Sequence, residues 1–154
     1  MTSEESSEAG SSKGVRFVLT TTLVLLIGLL VLQALGYGIG FFLDPASGVG
    51  EFASPPASDR DALTVALVGL VGVGMLGAAT ALGLAAVLIL RRNPAGTYLA
   101  VAVGAVYVLA GISAFRAGWA WDASFYAGSG GLLMGLSVAV RWLPTPGSTS
   151  PEPG

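Results

Sequence analysis

Four long stretches of this chain carry no charged residue, and they limit what it can fold into. Three of them are Phe17–Leu43, Ala62–Leu90 and Asn93–Phe115, and the fourth is Ala123–Val140. An uncharged apolar stretch of about 18 residues or more is long enough to cross the hydrocarbon core of a bilayer as a helix. Because lipid offers no hydrogen-bond partner to a peptide group, such a segment must be helical. The sequence therefore predicts an all-α bundle of four transmembrane helices.

The composition supports a membrane protein and excludes several kinds of chemistry. Of the 154 residues, 53% are hydrophobic and only 10% are charged, whereas soluble domains carry about 25% charged residues. The chain has no Cys and no His, which excludes thiolate chemistry, imidazole acid–base catalysis and zinc or haem ligation by these residues. We therefore expect no metal site and no cofactor. A membrane enzyme is the least favoured class, because its acids and bases would have to be loop carboxylates and arginines.

Polar segments divide the chain into one membrane domain and two tails. We expect a transmembrane domain over 15–142, with an outer loop over 44–61 and helices at about 16–43, 62–90, 95–116 and 120–141. The acidic, Ser-rich residues 1–14 and the residues 143–154, rich in Pro, Gly and Ser, predict disordered tails.

The basic residues are distributed unequally between the two ends of the predicted bundle. If the N-terminus is cytoplasmic, two arginines lie outside, Arg60 and Arg116. The five basic residues inside are then Lys13, Arg16, Arg91, Arg92 and Arg141. The positive-inside rule favours this N-in, C-in orientation, in the plasma membrane of a prokaryote. The pair Arg91–Arg92 most simply stops transfer and attracts anionic headgroups, with specific lipid binding as the alternative.

Small residues recur at four-residue spacing in the second and fourth predicted helices. The positions that this pattern assigns to helix packing are Gly69, Gly77, Ala81, Ala127, Gly131 and Gly135. In lipid, helices associate where small side chains let their backbones approach. The stripes indicate either packing within the chain or a homo-oligomer interface through the fourth helix. Gln33, an amide within the first span, is interpreted as a link between helices or else as a ligand contact.

Two glycine motifs have a packing interpretation. "GVGMLG" (Gly72–Gly77) matches the dinucleotide fingerprint, but it lies in the middle of an apolar span with no preceding strand. "LGYGIG" (Leu35–Gly40) contains the Gly-Tyr-Gly of potassium filters, but it closes a continuous first span without a pore helix before it. The first motif is therefore assigned to helix packing, and the second to a kink or a close helix crossing.

The segment "SAFRAGWAWD" carries the candidate binding site of the sequence. Arg116 and Arg60 both fall at the predicted outer face, and Trp119, Trp121 and Asp122 follow Arg116 closely. One interpretation is an interfacial aromatic belt, with Arg116 reaching water or pairing with Asp122. The other is an outward-facing pocket in which the two arginines hold an anionic headgroup or carboxylate and the aromatic rings cover its apolar part.

Three segments carry a resemblance to a known group of proteins. They are "FFLDP" at the end of the first helix, "SDRDALTVALVGLVGVG" at the start of the second, and "GISAFRAG" at the end of the third. With them, about Arg16–Arg141 resembles the small four-helix DoxX-like membrane proteins. The resemblance implies a four-helix bundle, often of unknown role and sometimes accessory to redox or stress systems. Since this chain lacks Cys and His, any redox group would belong to a partner.

These observations lead to two functional hypotheses. The first is a non-enzymatic multi-pass membrane protein, acting as an accessory subunit or as a binder of a lipid or small amphiphile at its extracytoplasmic face. The alternative is a small oligomeric transporter or channel packed through the fourth helix, which requires a polar path through residues such as Gln33, Thr80 and Ser113. The expected partners are membrane lipid and a second copy or a larger membrane complex, not nucleic acid.

Overall fold

The computed structural model describes residues 3–46, 62–116, 118 and 120–142. They form four helices, which we name α1 (Ser3–Leu43), α2 (Ala62–Leu90), α3 (Pro94–Arg116) and α4 (Ala120–Trp142). No strand occurs within these ranges. For the described residues, the prediction of an all-helical chain with four long apolar helices is confirmed.

Each helix contains a segment that is long and apolar enough to cross a membrane. These segments are Gly14–Leu43, Val65–Leu90, Pro94–Arg116 and Ala120–Trp142. The two shortest, α3 and α4, have 23 residues each, and at 1.5 Å per residue they are about 35 Å long. That length exceeds the hydrocarbon thickness of about 30 Å, so even the shortest helices suffice for a span.

The first helix begins earlier than the sequence predicts. α1 starts at Ser3, whereas we expected a disordered tail over 1–14 and a helix from about residue 16. The apolar span is helical from Gly14, and extending an existing helix costs much less free energy than starting a new one. The helix therefore extends beyond its apolar span. The tail expected over 143–154, and residues 47–61 of the expected loop, lie outside the described residues.

The four helices form a ring in which each packs against its neighbours in sequence and α4 closes against α1. The α1–α2 and α3–α4 contacts are the most extensive, and the α1–α4 contact is the least. In the described residues the diagonal pairs, α1 with α3 and α2 with α4, do not pack together. One end of the bundle, which we call the basic end, holds Arg16, Arg92 and Arg141. The other, with Arg116 and Asp122, is called the opposite end.

Glycines bring the backbones of α3 and α4 into direct contact. A Cβ atom at Gly130 would lie 2.6 Å from the carbonyl oxygen of Gly104, and one at Gly111 would lie 2.6 Å from the amide nitrogen of Ala127. Because a side chain cannot occupy either position without displacing the partner backbone, these two glycines set the distance between the helices. In lipid this close approach is the main source of helix association.

The structure redistributes the small residues that the sequence assigned to helix packing. Ala81 packs against the core, and Ala127 contacts Gly111. A Cβ atom added at Gly69 would lie 3.8 Å from the Cβ atom of Pro45, which is ordinary van der Waals contact. In contrast, Gly77, Gly131 and Gly135 are exposed, and an added Cβ would meet no atom within 4 Å at any of them. These three glycines therefore do not mediate contacts between the described helices.

Helix geometry explains the difference. At 3.6 residues per turn, a stripe of every fourth residue rotates by about 40° at each step and leaves the contact face after a few steps. The buried residues of α4 instead alternate between shorter and longer spacings, as expected for a face that stays against its partner. They are Ala123, Gly130, Leu133, Ser137 and Val140.

Candidate functional site

The turn between α2 and α3 is the first element that shapes the basic end. After Leu90 the Arg92 N–H donates to the carbonyl of Ile89 at 2.9 Å, and the Asn93 N–H donates to the carbonyl of Leu88 at 2.8 Å. These two bonds form a Schellman motif, which ends a helix with one residue in the left-handed conformation. The motif satisfies carbonyls that the end of α2 would otherwise leave unpaired.

Arg92 occupies the left-handed position of this motif. Its φ is 57°, and it is the one non-glycine residue in the described ranges with a positive φ. Glycine is the usual residue at this position. An L-residue with a side chain costs roughly 1–2 kcal/mol there, because its Cβ approaches the following carbonyl oxygen. The turn therefore keeps an arginine at a position where glycine is more stable.

Asn93 and Pro94 start the next helix immediately. The Asn93 Oδ1 accepts a hydrogen bond of 2.9 Å from the Ala95 N–H, which makes Asn93 the N-cap of α3. Pro94 follows at the first helical position, where its missing N–H costs nothing. Gly96 then lets α3 approach α2, since a Cβ there would lie 2.7 Å from the Ile89 amide nitrogen. Consecutive capping interactions thus hold Arg92 at the mouth of the bundle.

Arg141 is positioned by an aromatic ring at the end of α4. Its guanidinium carbon lies 4.5 Å from the centroid of the Tyr98 ring, within the range of a cation–π interaction. Tyr98 belongs to the second turn of α3. This contact therefore fixes a basic side chain of α4 relative to the start of α3.

These elements surround a groove of about 1120 Å³ at the basic end. All four helices contribute to its lining. Three lining residues are arginines, Arg16 from α1, Arg92 from the turn and Arg141 from α4. The other polar lining residues are Thr20, Thr21, Asn93 and Thr97. Since none of the described residues that line the groove is acidic, the groove carries a formal charge of +3.

The remaining lining is apolar and continues into the outer surface of the bundle. Phe17, Leu25 and Leu90 line the groove, yet their side chains are 73%, 64% and 64% exposed. Ile89 and Val140 also line it and are buried. The groove thus joins a positively charged rim to an apolar wall that a lipid chain can reach from the side. Such a combination suits an amphiphile with an anionic head.

The hydroxyl of Thr97 has a different role from the arginines. It donates a 2.8 Å hydrogen bond to the carbonyl of Pro94, so its proton is engaged within the first turn of α3. The guanidinium groups are therefore the principal charged donors of the groove, and arginine presents several N–H groups in a planar fork suited to phosphate.

The candidate site predicted from "SAFRAGWAWD" lies at the opposite end. Arg116 is exposed there, Trp121 is 85% exposed and Asp122 is half-buried. The other two members, Arg60 and Trp119, lie outside the described residues. The described members are thus not gathered around a buried centre, and the hypothesis of a site at this face stays a prediction.

Gln33 contacts another helix, and part of its side chain remains unpaired. Its side chain lies close to the hydroxyl of Tyr126 of α4, and the Tyr126 ring packs edge-on against that of Tyr107 at a centroid distance of 5.8 Å. The Oε1 atom of Gln33 is buried without a hydrogen-bond partner. This link between α1 and α4 lies at the least extensive contact of the ring.

From the sequence, Arg16 and Arg141 are interpreted only as determinants of orientation, and Arg92 has specific lipid binding as its alternative interpretation. The signal that could have indicated a site is that all three arginines fall at the same end of the predicted bundle, with the polar pair Thr20–Thr21 one turn from Arg16. No cluster of three His, Cys, Asp or Glu residues that could hold a metal ion occurs among the described residues.

Comparisons with known proteins give no relative from which a role could be transferred. No protein-family model, curated protein or solved structure matches the chain. The resemblance to DoxX-like proteins therefore stays a prediction, and the functional argument depends on the groove itself.

Proposed function

We propose that this chain is a non-enzymatic, multi-pass membrane protein that binds an anionic lipid, or an amphiphile of the same charge, in the groove at its basic end. The observation that carries the proposal is the convergence of Arg16, Arg92 and Arg141 on a groove with an apolar wall. Three separate segments supply these arginines, so the positive charge is concentrated only in the folded protein.

The chemistry of the lining favours an anionic headgroup over a zwitterionic one. Guanidinium groups bind phosphate oxygens by charge-assisted, often bidentate hydrogen bonds. A choline or ethanolamine headgroup brings a cation as well, and the lining includes no carboxylate to pair with it. The acyl chains would lie along Phe17, Leu25 and Leu90, which face outward.

The proposed orientation places the groove in the leaflet where anionic lipids attract basic residues. With both termini cytoplasmic, as the positive-inside rule favours, the basic end is the cytoplasmic end. Each basic residue near an anionic surface contributes about 1 kcal/mol. The lipid site is then cytoplasmic, whereas the first hypothesis from the sequence places the ligand at the extracytoplasmic face and only the alternative for Arg91–Arg92 places a lipid at this end. We place the protein in the plasma membrane of a prokaryote and assign it the role of an accessory subunit of a larger membrane complex.

The experiment that tests this function compares lipid preferences of single variants. The purified protein is placed in nanodiscs that contain phosphatidylglycerol and phosphatidylcholine, and the lipids retained on gentle release are quantified by native mass spectrometry. Arg16→Gln and Arg141→Gln should each lower the preference for phosphatidylglycerol about fivefold, which is about 1 kcal/mol. Added glycerol phosphate should not displace the lipid, since the apolar wall contributes to binding.

The matched control is Arg116→Gln, an exposed arginine at the end of a helix on the other side of the bundle. It should leave the preference unchanged. Unchanged preference in Arg16→Gln and Arg141→Gln would contradict the proposal. A loss of lipid confined to Arg116→Gln would instead support the site predicted from "SAFRAGWAWD".

The orientation can be tested directly, because the chain has no cysteine of its own. Single cysteines are introduced at Ser54 and at Ser148, and intact cells are treated with a membrane-impermeant maleimide. We expect labelling at position 54 only. Labelling at position 148 in intact cells would place the basic end outside and contradict the cytoplasmic location of the groove.

A second candidate function is a small transporter or channel formed by several copies. The observation that favours it is the exposure of Gly128, Gly131 and Gly135 on one side of α4, with open space beyond each. Outward-facing glycines at close spacing allow helices of separate copies to pack in lipid. Gly131→Leu should then convert an oligomer to a monomer in light scattering of the detergent-solubilised protein. A wild-type monomer in nanodiscs and in detergent would contradict this candidate.

A further inference from the structure

The C-termini of α2 and α3 are followed by the same type of backbone hydrogen bond, with different residues in the left-handed conformation. After α3 the Gly118 N–H donates to the carbonyl of Phe115 at 3.1 Å, and Gly118 has a φ of 84°. After α2 the Arg92 N–H makes the equivalent bond to Ile89, again with a left-handed φ. The chain has 23 glycines, so glycine is common in it, yet this one turn holds an arginine.

The turn itself gives no reason for an arginine. Arg92 caps α2 through its backbone N–H, and glycine makes that bond equally well without the Cβ strain. A positive charge that complements the carbonyl end of α2 is already supplied by the neighbouring Arg91. The feature that distinguishes Arg92 from Arg91 is the groove, because Arg92 lines it and Arg91 does not.

We propose that Arg92 contributes to the preference of the groove for anionic phospholipid as much as each of the two helix arginines does, and that its strained backbone is retained for this role. The inference rests on the proposed function. It adds that Arg92 lowers the stability of the fold, through its strained backbone, and in return supplies a charge that binds a lipid phosphate. Arg16 and Arg141 project from helices, whereas Arg92 is held by the turn that joins α2 to α3. Its Cα atom is therefore fixed relative to two helices at once.

The test uses Arg92→Gly, Arg92→Gln and Arg91→Gly in the full-length protein. Arg92→Gly removes the charge and the strain, so its thermal unfolding temperature in detergent without added lipid should rise by about 3 °C. Its preference for phosphatidylglycerol over phosphatidylcholine should fall about fivefold. Arg92→Gln should show the same loss of preference without the rise in unfolding temperature, since the Cβ remains.

Arg91→Gly is the matched control, with the same chemical change one residue away. Its lipid preference should stay within twofold of the wild type, with no gain in unfolding temperature. Two results would overturn the inference. One is an Arg92→Gly variant with the wild-type lipid preference while Arg16→Gln and Arg141→Gln lose theirs, which leaves the proposed function intact. The other is a fall in the unfolding temperature of Arg92→Gly, which would make Arg92 a structural residue. If all three groove arginines can be replaced without effect, the proposed function itself fails.

Discussion

Arg141 lies over the face of Tyr98, with 4.5 Å between the guanidinium carbon and the ring centroid. The contact connects the last turn of α4 to the second turn of α3, at the mouth of the groove. A guanidinium over an aromatic ring is attracted by the negative face of the ring, by about 0.5–1 kcal/mol at exposed sites. Tyr98 thus restricts the position of a charged side chain without contributing charge.

Tyr98→Leu should weaken binding of phosphatidylglycerol about two- to fivefold, because Arg141 loses the ring that positions it. Tyr98→Phe is the control, since phenylalanine keeps the aromatic face and removes only the hydroxyl. Both variants are compared with the wild type by lipid titration in nanodiscs. Equal affinity of the leucine and phenylalanine variants would show that the ring does not position Arg141 for binding.

Asn93 should have separable effects on stability and on lipid binding. Asn93→Ala removes the cap of α3, which should lower the free energy of unfolding by about 1 kcal/mol. Asn93→Asp retains the acceptor that bonds to the Ala95 N–H, so stability should be kept, but it brings a negative charge to the rim of the groove. We expect its affinity for phosphatidylglycerol to fall about fivefold. The prediction fails if the aspartate variant binds the anionic lipid as tightly as the wild type.

Two adjacent glycines of α4 should respond oppositely to the same substitution. Gly130→Ala places a Cβ 2.6 Å from the Gly104 carbonyl oxygen and should destabilise the protein by about 1–3 kcal/mol through overpacking. Gly131→Ala meets no atom within 4 Å and should cause no loss. Unfolding by graded addition of sodium dodecyl sulfate to mild-detergent micelles measures both. Similar stability of the two variants would contradict the assigned α3–α4 contact.

The pair Gln33 and Tyr126 should show coupling between α1 and α4. A double-mutant cycle with Gln33→Leu and Tyr126→Phe removes the amide of one residue and the hydroxyl of the other, and so tests for a hydrogen bond between them. Hydrogen bonds between membrane helices contribute about 0.6 kcal/mol on average, so we expect a coupling energy of that size in unfolding measurements. Additive effects of the two substitutions would mean that the residues act independently.

The number of helices was predictable because it depends on a local property. A stretch such as Ala62–Leu90 is free of charge over its whole length, and no tertiary contact is needed to conclude that it is helical in lipid. The start of α1 was not predictable in the same way. Residues before Gly14 are polar and indicate a tail by composition, while the helix that follows them supports continuation back to Ser3.

The contact faces of the helices were harder to predict because many glycines could equally well lie at a helix contact. Gly131 fits a four-residue stripe better than Gly130 does, yet Gly130 is the one against Gly104. Only the rotation of one helix relative to the other decides between neighbours in sequence. A chain with 23 glycines offers several stripes, so spacing alone identifies no unique interface.

The groove could not be predicted because it depends on convergence. Arg16 and Arg141 are far apart in sequence, and each by itself has the ordinary interpretation of a residue at the edge of a span. The left-handed Arg92 was also hidden, since the segment "RRNP" contains no glycine to mark the position. By contrast, the aromatic-rich segment around Arg116 attracted attention although its described residues are largely exposed.

The unequal contacts around the ring of helices bear on how the molecule would come apart under load. The contacts within the α1–α2 pair and within the α3–α4 pair are more extensive than the contacts between the two pairs. A single molecule pulled out of a bilayer by one terminus should therefore leave in two force peaks, one for each antiparallel pair, rather than in four. The groove includes residues from both pairs, so a lipid bound in it would contact both pairs and raise the force needed to separate them in the first peak.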